Sequence, residues 1–253
     1  MVLVQIHQIK TAKKIIESAA KLAKQLGKSF GVLSFVENDE QIYERTQELS
    51  LAIQFDDYHT IVRSSSRNNL IEICEKEEAS FLFIQLLDDK TKTIRQSLNA
   101  CRELRIPYVF YKDSFEVLDL TKVVLPIGFL EEELEKAQFA AAFGRFCCSE
   151  IQMLLANDYG SKAAINADKM KSLFEKFDFV FNIQKAKKDS FKVDIEAVLF
   201  AVNESAGLII ISASREYGLD DILFGPREFQ IVKKSNVPVL MVNPRGDLYA
   251  LCD

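Results

Sequence analysis

The chain has 253 residues, of which 48% are hydrophobic and 27% charged, and glycine and proline together number only 14 (9 + 5). This composition excludes a disordered, collagen-like or low-complexity chain, and the length fits one large domain or two small ones. The formal net charge of −5 gives no overall attraction to nucleic acid or to an anionic membrane. With no apolar run near the roughly 18 residues of a membrane span and no signal-peptide pattern, we expect a cytoplasmic protein without membrane insertion.

Short apolar runs rich in β-branched residues predict five buried strands in each half of the chain. In chain order they are Val2–Ile6, Phe30–Val36, Leu51–Phe55, Phe81–Leu87, Tyr108–Tyr111, Val123–Ile127, Ile151–Ala156, Phe179–Ile183, Leu208–Ile211 and Val239–Val242. Amphipathic segments between them predict helices at Thr11–Leu26, Asn69–Lys76, Lys92–Leu104, Glu131–Phe146, Asp194–Asn203 and Arg227–Lys234. Because parallel strands need long connections, this alternation predicts an α/β fold with parallel sheets.

The two halves resemble each other. The opening MVLVQIH is similar to TKVVLPIG at 121–128, and CRELRIPYVFYKD is similar to KKSNVPVLMVNP, where each half runs through a proline into its last strand. A duplication accounts for this matched order. We therefore predict two domains, 1–113 and 121–253, joined by a polar linker near 113–121.

The second half carries the clearest family likeness. Its opening strand, helix and second strand read VVLPIG, FLEEELEKAQFAAAFGRF and EIQMLLA, and its end runs from LIIISAS to PVLMVNP. In these segments the chain resembles the universal stress protein family in its tandem form. The resemblance implies two five-stranded parallel sheets flanked by helices and a dimer in most members. It also implies a regulatory or stress-response role, with ATP as the candidate cofactor.

The family's phosphate-binding loop has a glycine, two residues, a second glycine, nine residues, and a glycine followed by Ser or Thr. Glycines there let backbone amides approach phosphate oxygens. The matching positions are Ser212, Arg215, Gly225 and Pro226, so the spacing is kept while only the last glycine remains. In the first half this stretch has no glycine and carries Asp88 and Asp89 instead.

The family also carries an aspartate at the end of its first strand, where this chain has His7 and Gly128. Neither residue accepts hydrogen bonds as a carboxylate does. We therefore expect degenerate nucleotide sites and no cofactor in either half. The acidic run Glu131–Glu135 at a helix start is interpreted as a solvated face, and Arg215 and Arg227 as solvated arginines.

The sequence shows few of the residue patterns that are typical of enzyme active sites. The chain has only His7 and His59 as histidines, and His59 is assigned to a polar loop. The 5 cysteines show no CxxC spacing, which indicates reduced thiols and no zinc site. There is no Walker loop or GxGxxG motif. We expect neither catalytic residues nor a metal site, and basic clusters too weak for a nucleic-acid partner.

Together these features predict a non-catalytic, universal-stress-type regulatory protein that acts through contacts with an unidentified protein. Its last strands, Tyr108–Tyr111 and 238–243, are candidates for pairing within the chain or in a homodimer. The alternative is a nucleotide- or anion-binding sensor, or a weak nucleotide hydrolase. Its ligand would be held by Ser212, Ser214, Arg215 and Gly225. A role as cytosolic partner of a membrane transporter is neither supported nor excluded by the sequence.

Overall fold

The structure is a computed structural model that describes residues 1–55, 57–64, 70–87, 91–214 and 227–245. The chain divides into two compact units, Met1–Leu118 and Asp119–Asp253. Within the described residues no helix is both long enough and apolar enough to cross a membrane.

The first unit is a five-stranded parallel sheet in the order β3-β2-β1-β4-β5. Its strands are β1 (Val2–Ile6), β2 (Phe30–Val36), β3 (His59–Ser64), β4 (Phe81–Leu86) and β5 (Tyr108–Lys112). Its helices are α1 (Lys13–Gln25), α2 (Gln41–Ala52), α3 (Leu70–Lys76) and α4 (Thr91–Cys101), with a 3₁₀ turn at Ile9–Thr11. The central strands β1 and β4 are almost entirely buried, which explains their continuous apolar sequences.

The second unit repeats this arrangement in the order β10-β9-β6-β7-β8, again with parallel pairs. Its strands are β6 (Lys122–Ile127), β7 (Glu150–Leu155), β8 (Phe181–Lys185), β9 (Leu208–Ser212) and β10 (Val239–Val242). Its helices are α5 (Glu135–Cys147), α6 (Lys162–Lys176), α7 (Val193–Asn203) and α8 (Arg227–Lys234), and a 3₁₀ turn covers Glu131–Leu134. Five parallel strands flanked by helices in each unit confirm the predicted α/β fold class.

One predicted strand is wrong. The stretch from Leu51 to Phe55 forms no strand, because α2 continues to Ala52 and the third strand begins only at His59. Leu49 is buried while Leu51 is 82% exposed, so this apolar run belongs to the end of a helix that turns only one face inward. A short apolar run does not distinguish the end of a helix from a strand.

Candidate functional site at the carboxyl ends of the strands

In both units the strand order reverses at the centre of the sheet, between β1 and β4 and between β6 and β9. From the two central strands of each unit, the chain continues toward opposite ends of the strand order. This leaves a crevice beyond the carboxyl ends of the central strands. Open α/β sheets bind ligands in that crevice. The residues that reach it are therefore the ones that decide what each unit can bind.

In the first unit, the side chain of Gln85 closes this crevice. Gln85 is fully buried in β4, and its Oε1 accepts hydrogen bonds from the backbone N–H groups of His7 (2.7 Å) and Gln8 (2.9 Å). Its Nε2 lies within hydrogen-bond distance of the backbone oxygen of Gln8 (3.1 Å), Thr11 Oγ1 (2.9 Å) and Asp113 Oδ1 (2.8 Å). The two amides at the end of β1 are thus bonded to the protein itself and are not offered to a phosphate.

His7 follows β1 and lines an open cleft of about 470 Å³ beside α2. The guanidinium of Arg45 crosses this cleft and donates to the backbone oxygen of His7 (3.1 Å), to Ser34 Oγ (2.9 Å) and to Glu48 Oε2 (3.0 Å). Partial burial lowers the pKa of the His7 imidazole. Arg45 lowers this pKa further, whereas Asp113 opposes the shift. The ring is therefore mostly neutral at physiological pH, so it adds little positive charge for an anionic ligand.

In the second unit, the position after β6 has no room for a side chain. A Cβ built on Gly128 would lie 2.8 Å from Glu133 Oε1 and 3.1 Å from the Cβ and Oγ of Ser190. The N–H of Gly128 donates to Glu133 Oε2 (2.7 Å), and its C=O accepts from Asn166 Nδ2 (3.0 Å). A carboxylate from the following 3₁₀ turn therefore lies against the residue at which the resemblance implies an aspartate.

Buried charges surround this glutamate. Lys136 Nζ lies 3.1 Å from Glu133 Oε2, and the two side chains are 1% and 6% exposed. Nearby, Arg227 Nη2 lies 3.0 Å from Oδ2 of the buried Asp194. Burial raises the pKa of Asp194. The two cations oppose this shift, whereas Glu133 and Glu228 add to it. We call these five residues the buried charge cluster: three carboxylates against two cations.

The loop that would bind phosphate begins after β9. Ser212 ends that strand with a buried hydroxyl, and the N–H of Ser214 donates to Glu228 Oε1 in the first turn of α8. Within the described residues, Ser212 Oγ and Glu228 Oε2 have no hydrogen-bond partner. The predicted ligands Arg215 and Gly225 lie outside the described residues, as does Pro226. Of the four predicted site residues, only the two serines are therefore placed by the structure, and the N–H of Ser214 is bonded to the buried Glu228.

Two predictions about charged residues are wrong. The acidic run at Glu131–Glu135 is not wholly solvated: Glu133 and Glu135 are buried, and the carboxylate of Glu135 accepts from the backbone N–H of Arg245 (2.9 and 3.1 Å). Arg227, assigned to solvent, instead forms the ion pair with Asp194. In each case the side chain satisfies or neutralises a group at the carboxyl end of the sheet.

Sequence reasoning missed Gln85, Lys136, Asp194 and Glu228 altogether. Gln85 had a usable signal, because it is the single polar residue in the apolar run FLFIQLL. The other three sit in helices, where spacing along the sequence does not distinguish buried charged residues from exposed ones. Among the described residues, no group of three or more His, Cys, Asp or Glu side chains could hold a metal ion.

Comparison with solved structures identifies the fold. A universal stress protein from Archaeoglobus fulgidus matches with a TM-score of 0.70 at 14% identity, covering 97% of each chain. A candidate universal stress protein from Pseudomonas aeruginosa UCBPP-PA14 (TM-score 0.61, 13% identity) covers 99% of this chain and 94% of its own. A protein of unknown function from Pseudomonas aeruginosa PAO1 (TM-score 0.60, 12% identity) covers 99% and 95%. No protein-family model and no curated protein sequence matches. The resemblance predicted from sequence is thus confirmed at the level of fold: over nearly its whole length, the chain has the fold of the universal stress proteins.

Proposed function

We propose that this chain is a cytoplasmic, universal-stress-type regulatory protein that is not an enzyme, binds no nucleotide cofactor and acts through contacts with other proteins. The observation that carries the proposal is that, in both units, side chains of the chain itself accept hydrogen bonds from backbone N–H groups at the carboxyl ends of the strands. Gln85 accepts hydrogen bonds from the two backbone N–H groups that follow β1. Glu133 accepts the N–H of Gly128, and Glu228 accepts the N–H of Ser214.

Electrostatics supports the same reading. A phosphate needs free N–H groups and a positive potential. In the second unit the buried charge cluster has one more carboxylate than cations, and both cations already face a carboxylate at 3.0–3.1 Å. A nucleotide would have to displace Glu228 from Ser214 and would then lie beside a cluster in which carboxylates outnumber cations, which disfavours an anion.

The histidines also support a non-catalytic role. His7 follows the carboxyl end of β1, whereas His59 is the first residue of β3, at the amino edge of the same parallel sheet. The two rings therefore lie at opposite edges and do not share a site. A histidine-based nucleophilic site would have to use one of them alone.

The cytoplasmic assignment rests on the cysteines. Cys74, Cys101, Cys147 and Cys148, the cysteines that the structure describes, are thiols and form no disulfide. Reduced thiols are typical of proteins from a reducing compartment.

Calorimetric titration with Mg-ATP tests the proposal. We expect no saturable heat and no shift in melting temperature. Saturable ATP binding that is weakened by Arg215→Ala would contradict the proposal and favour the nucleotide- or anion-binding sensor. A burst of phosphate release would favour the weak hydrolase.

Association through the last strands, β5 and β10, is the remaining part of the proposal. Native mass spectrometry of the purified chain reports the number of subunits and any retained small molecule in one measurement. A dimer would support pairing between chains, and a monomer would support pairing within one chain. A retained nucleotide would contradict the absence of a cofactor.

A further inference from the structure

A second concave surface lies beside α7 and the last residues of β8. In the second unit, a groove of about 510 Å³ separates α7 from the β7–β8 side of the sheet. Its apolar lining comes from Leu154 in β7 and from Ile195, Leu199 and Phe200 in α7. A volume of this size and an apolar lining are typical of binding sites.

The helix that walls this groove exposes apolar side chains. Leu199 is 69% exposed and Val202 47% exposed, although the rest of α7 is also mostly apolar and packs on β6 and β9. A surface helix normally turns a polar face to water. An exposed apolar strip beside a groove therefore indicates a surface that another molecule covers.

The rim of the groove is basic. It carries four lysines, Lys185, Lys187, Lys188 and Lys192, and a single acidic residue, Glu196. The Glu196 carboxylate already accepts the backbone N–H groups of Lys187 (2.9 Å) and Lys188 (2.8 Å). Glu196 is thus engaged with the backbone, and the other charged residues that line the groove are all lysines, which favours an anionic occupant.

The groove also borders an open sheet edge. β8 is the outermost strand of its unit, and within the described residues its backbone pairs with β7 alone. An outermost strand offers its free N–H and C=O groups to an added extended segment. Such a segment alternates its side chains, so one set faces the α7 side of the sheet.

We propose that the groove between β8 and α7 binds an extended segment of a partner protein in which acidic and apolar side chains alternate. This inference rests on the proposed function in one respect, namely action through protein contacts. Apolar side chains of the segment pack on Leu199 and Ile195, and its carboxylates meet the four lysines. Four separate cations match several carboxylates along a chain better than the single head group of a small amphipathic acid.

Fluorescence anisotropy on the full chain tests the inference. The probe is a labelled peptide of about ten residues in which glutamate alternates with valine, compared with a peptide in which lysine replaces glutamate. We expect binding of the acidic peptide alone, with an affinity that falls as salt rises. Leu199→Glu should weaken binding about tenfold or more, since it removes the central apolar contact and adds a like charge. The matched control Ile165→Glu, at an exposed site on α6, should leave affinity unchanged.

A second pair of variants measures how much the lysine charges contribute to peptide binding. Lys185→Glu combined with Lys188→Glu should weaken binding at least several-fold, whereas Lys162→Glu, at the start of α6, should not. Three results would overturn the inference: equal binding of both peptides, no binding of the acidic peptide, or displacement of that peptide by palmitate at stoichiometric concentration. The Mg-ATP titration is independent of these measurements. If neither the acidic peptide nor Mg-ATP binds, the groove is excluded as a peptide site, and the proposed function stands.

Discussion

Replacing Lys136 with methionine should destabilise the second unit strongly. Lys136 Nζ lies 3.1 Å from Glu133 Oε2, with 1% and 6% of the two side chains exposed. At an effective dielectric constant of about 20, their attraction is about 5 kcal/mol. Methionine preserves most of the volume but leaves the Glu133 carboxylate buried without its cation. We therefore expect a loss of about 3–5 kcal/mol in the free energy of unfolding.

The chain contains a matched control for this experiment. Lys169 Nζ lies 2.9 Å from Glu131 Oε1, a shorter distance, but these side chains are 50% and 67% exposed. Because water screens exposed pairs, Lys169→Met should cost less than about 1 kcal/mol. Equilibrium unfolding in urea, followed by circular dichroism, measures both variants in the same unit.

A double substitution separates charge from packing. Lys136→Met combined with Glu133→Gln removes both charges of this pair, and the glutamine oxygen can still accept the N–H of Gly128. The double variant should therefore be more stable than Lys136→Met alone. The reasoning is refuted if Lys136→Met costs no more than Lys169→Met, or if the double variant is the least stable of the set.

Four further outcomes follow from the same geometry. Gly128→Ala should lower the free energy of unfolding by about 1–3 kcal/mol, measured in urea, since a methyl group there overlaps the neighbouring glutamate. Gln85→Leu should cost about 2 kcal/mol in the same assay, because it leaves two amides and a carboxylate of the first unit without their partner. The pKa of Asp194 is raised on folding, so its protonated form favours the fold. Its contribution is complete below the unfolded pKa of about 3.9 and is lost as pH rises through the folded value. The stability of the wild type relative to Asp194→Asn should accordingly fall as pH rises from about 4, and a difference that grew with pH would contradict this assignment. Burial raises the pKa of Cys74 to about 12, so mass spectrometry after iodoacetamide treatment at pH 8 should find exposed Cys148 modified well before Cys74.

The fold was predictable because parallel strands are buried on both faces. Leu208–Ile211 is apolar throughout and Phe81–Leu86 is apolar except for Gln85, and the order of such runs along the chain indicates two repeated units. The failure at Leu51–Phe55 has a local cause. The true third strand, His59–Ser64, begins with polar residues and carries Arg63, so it is less apolar than the helix end before it. It lies at the edge of its unit, where one side is open to water.

The site was less predictable, because burial of a charge depends on what a helix packs against. Glu132 and Glu133 are adjacent and chemically identical, yet Glu133 is buried against Gly128 while the turn carries Glu132 outward. Glu228 and Arg227 begin α8 in the same way as many solvated helix starts, but both side chains turn toward the sheet. No spacing rule along the chain distinguishes these cases.

In both units, side chains of the chain itself accept backbone N–H groups at the carboxyl ends of the strands, but the two units use different chemistry. In the first unit, one neutral amide, Gln85, joins β1, the following 3₁₀ turn and the end of β5. In the second unit, two ion pairs neutralise buried charges, and the carboxylate of Glu228 accepts the N–H of Ser214. Loss of glycines alone would leave an empty crevice with unsatisfied amides, which is costly when buried. Side chains that satisfy those amides stabilise each unit without a ligand, which supports the proposal that the chain acts through its surface, including the basic groove beside β8.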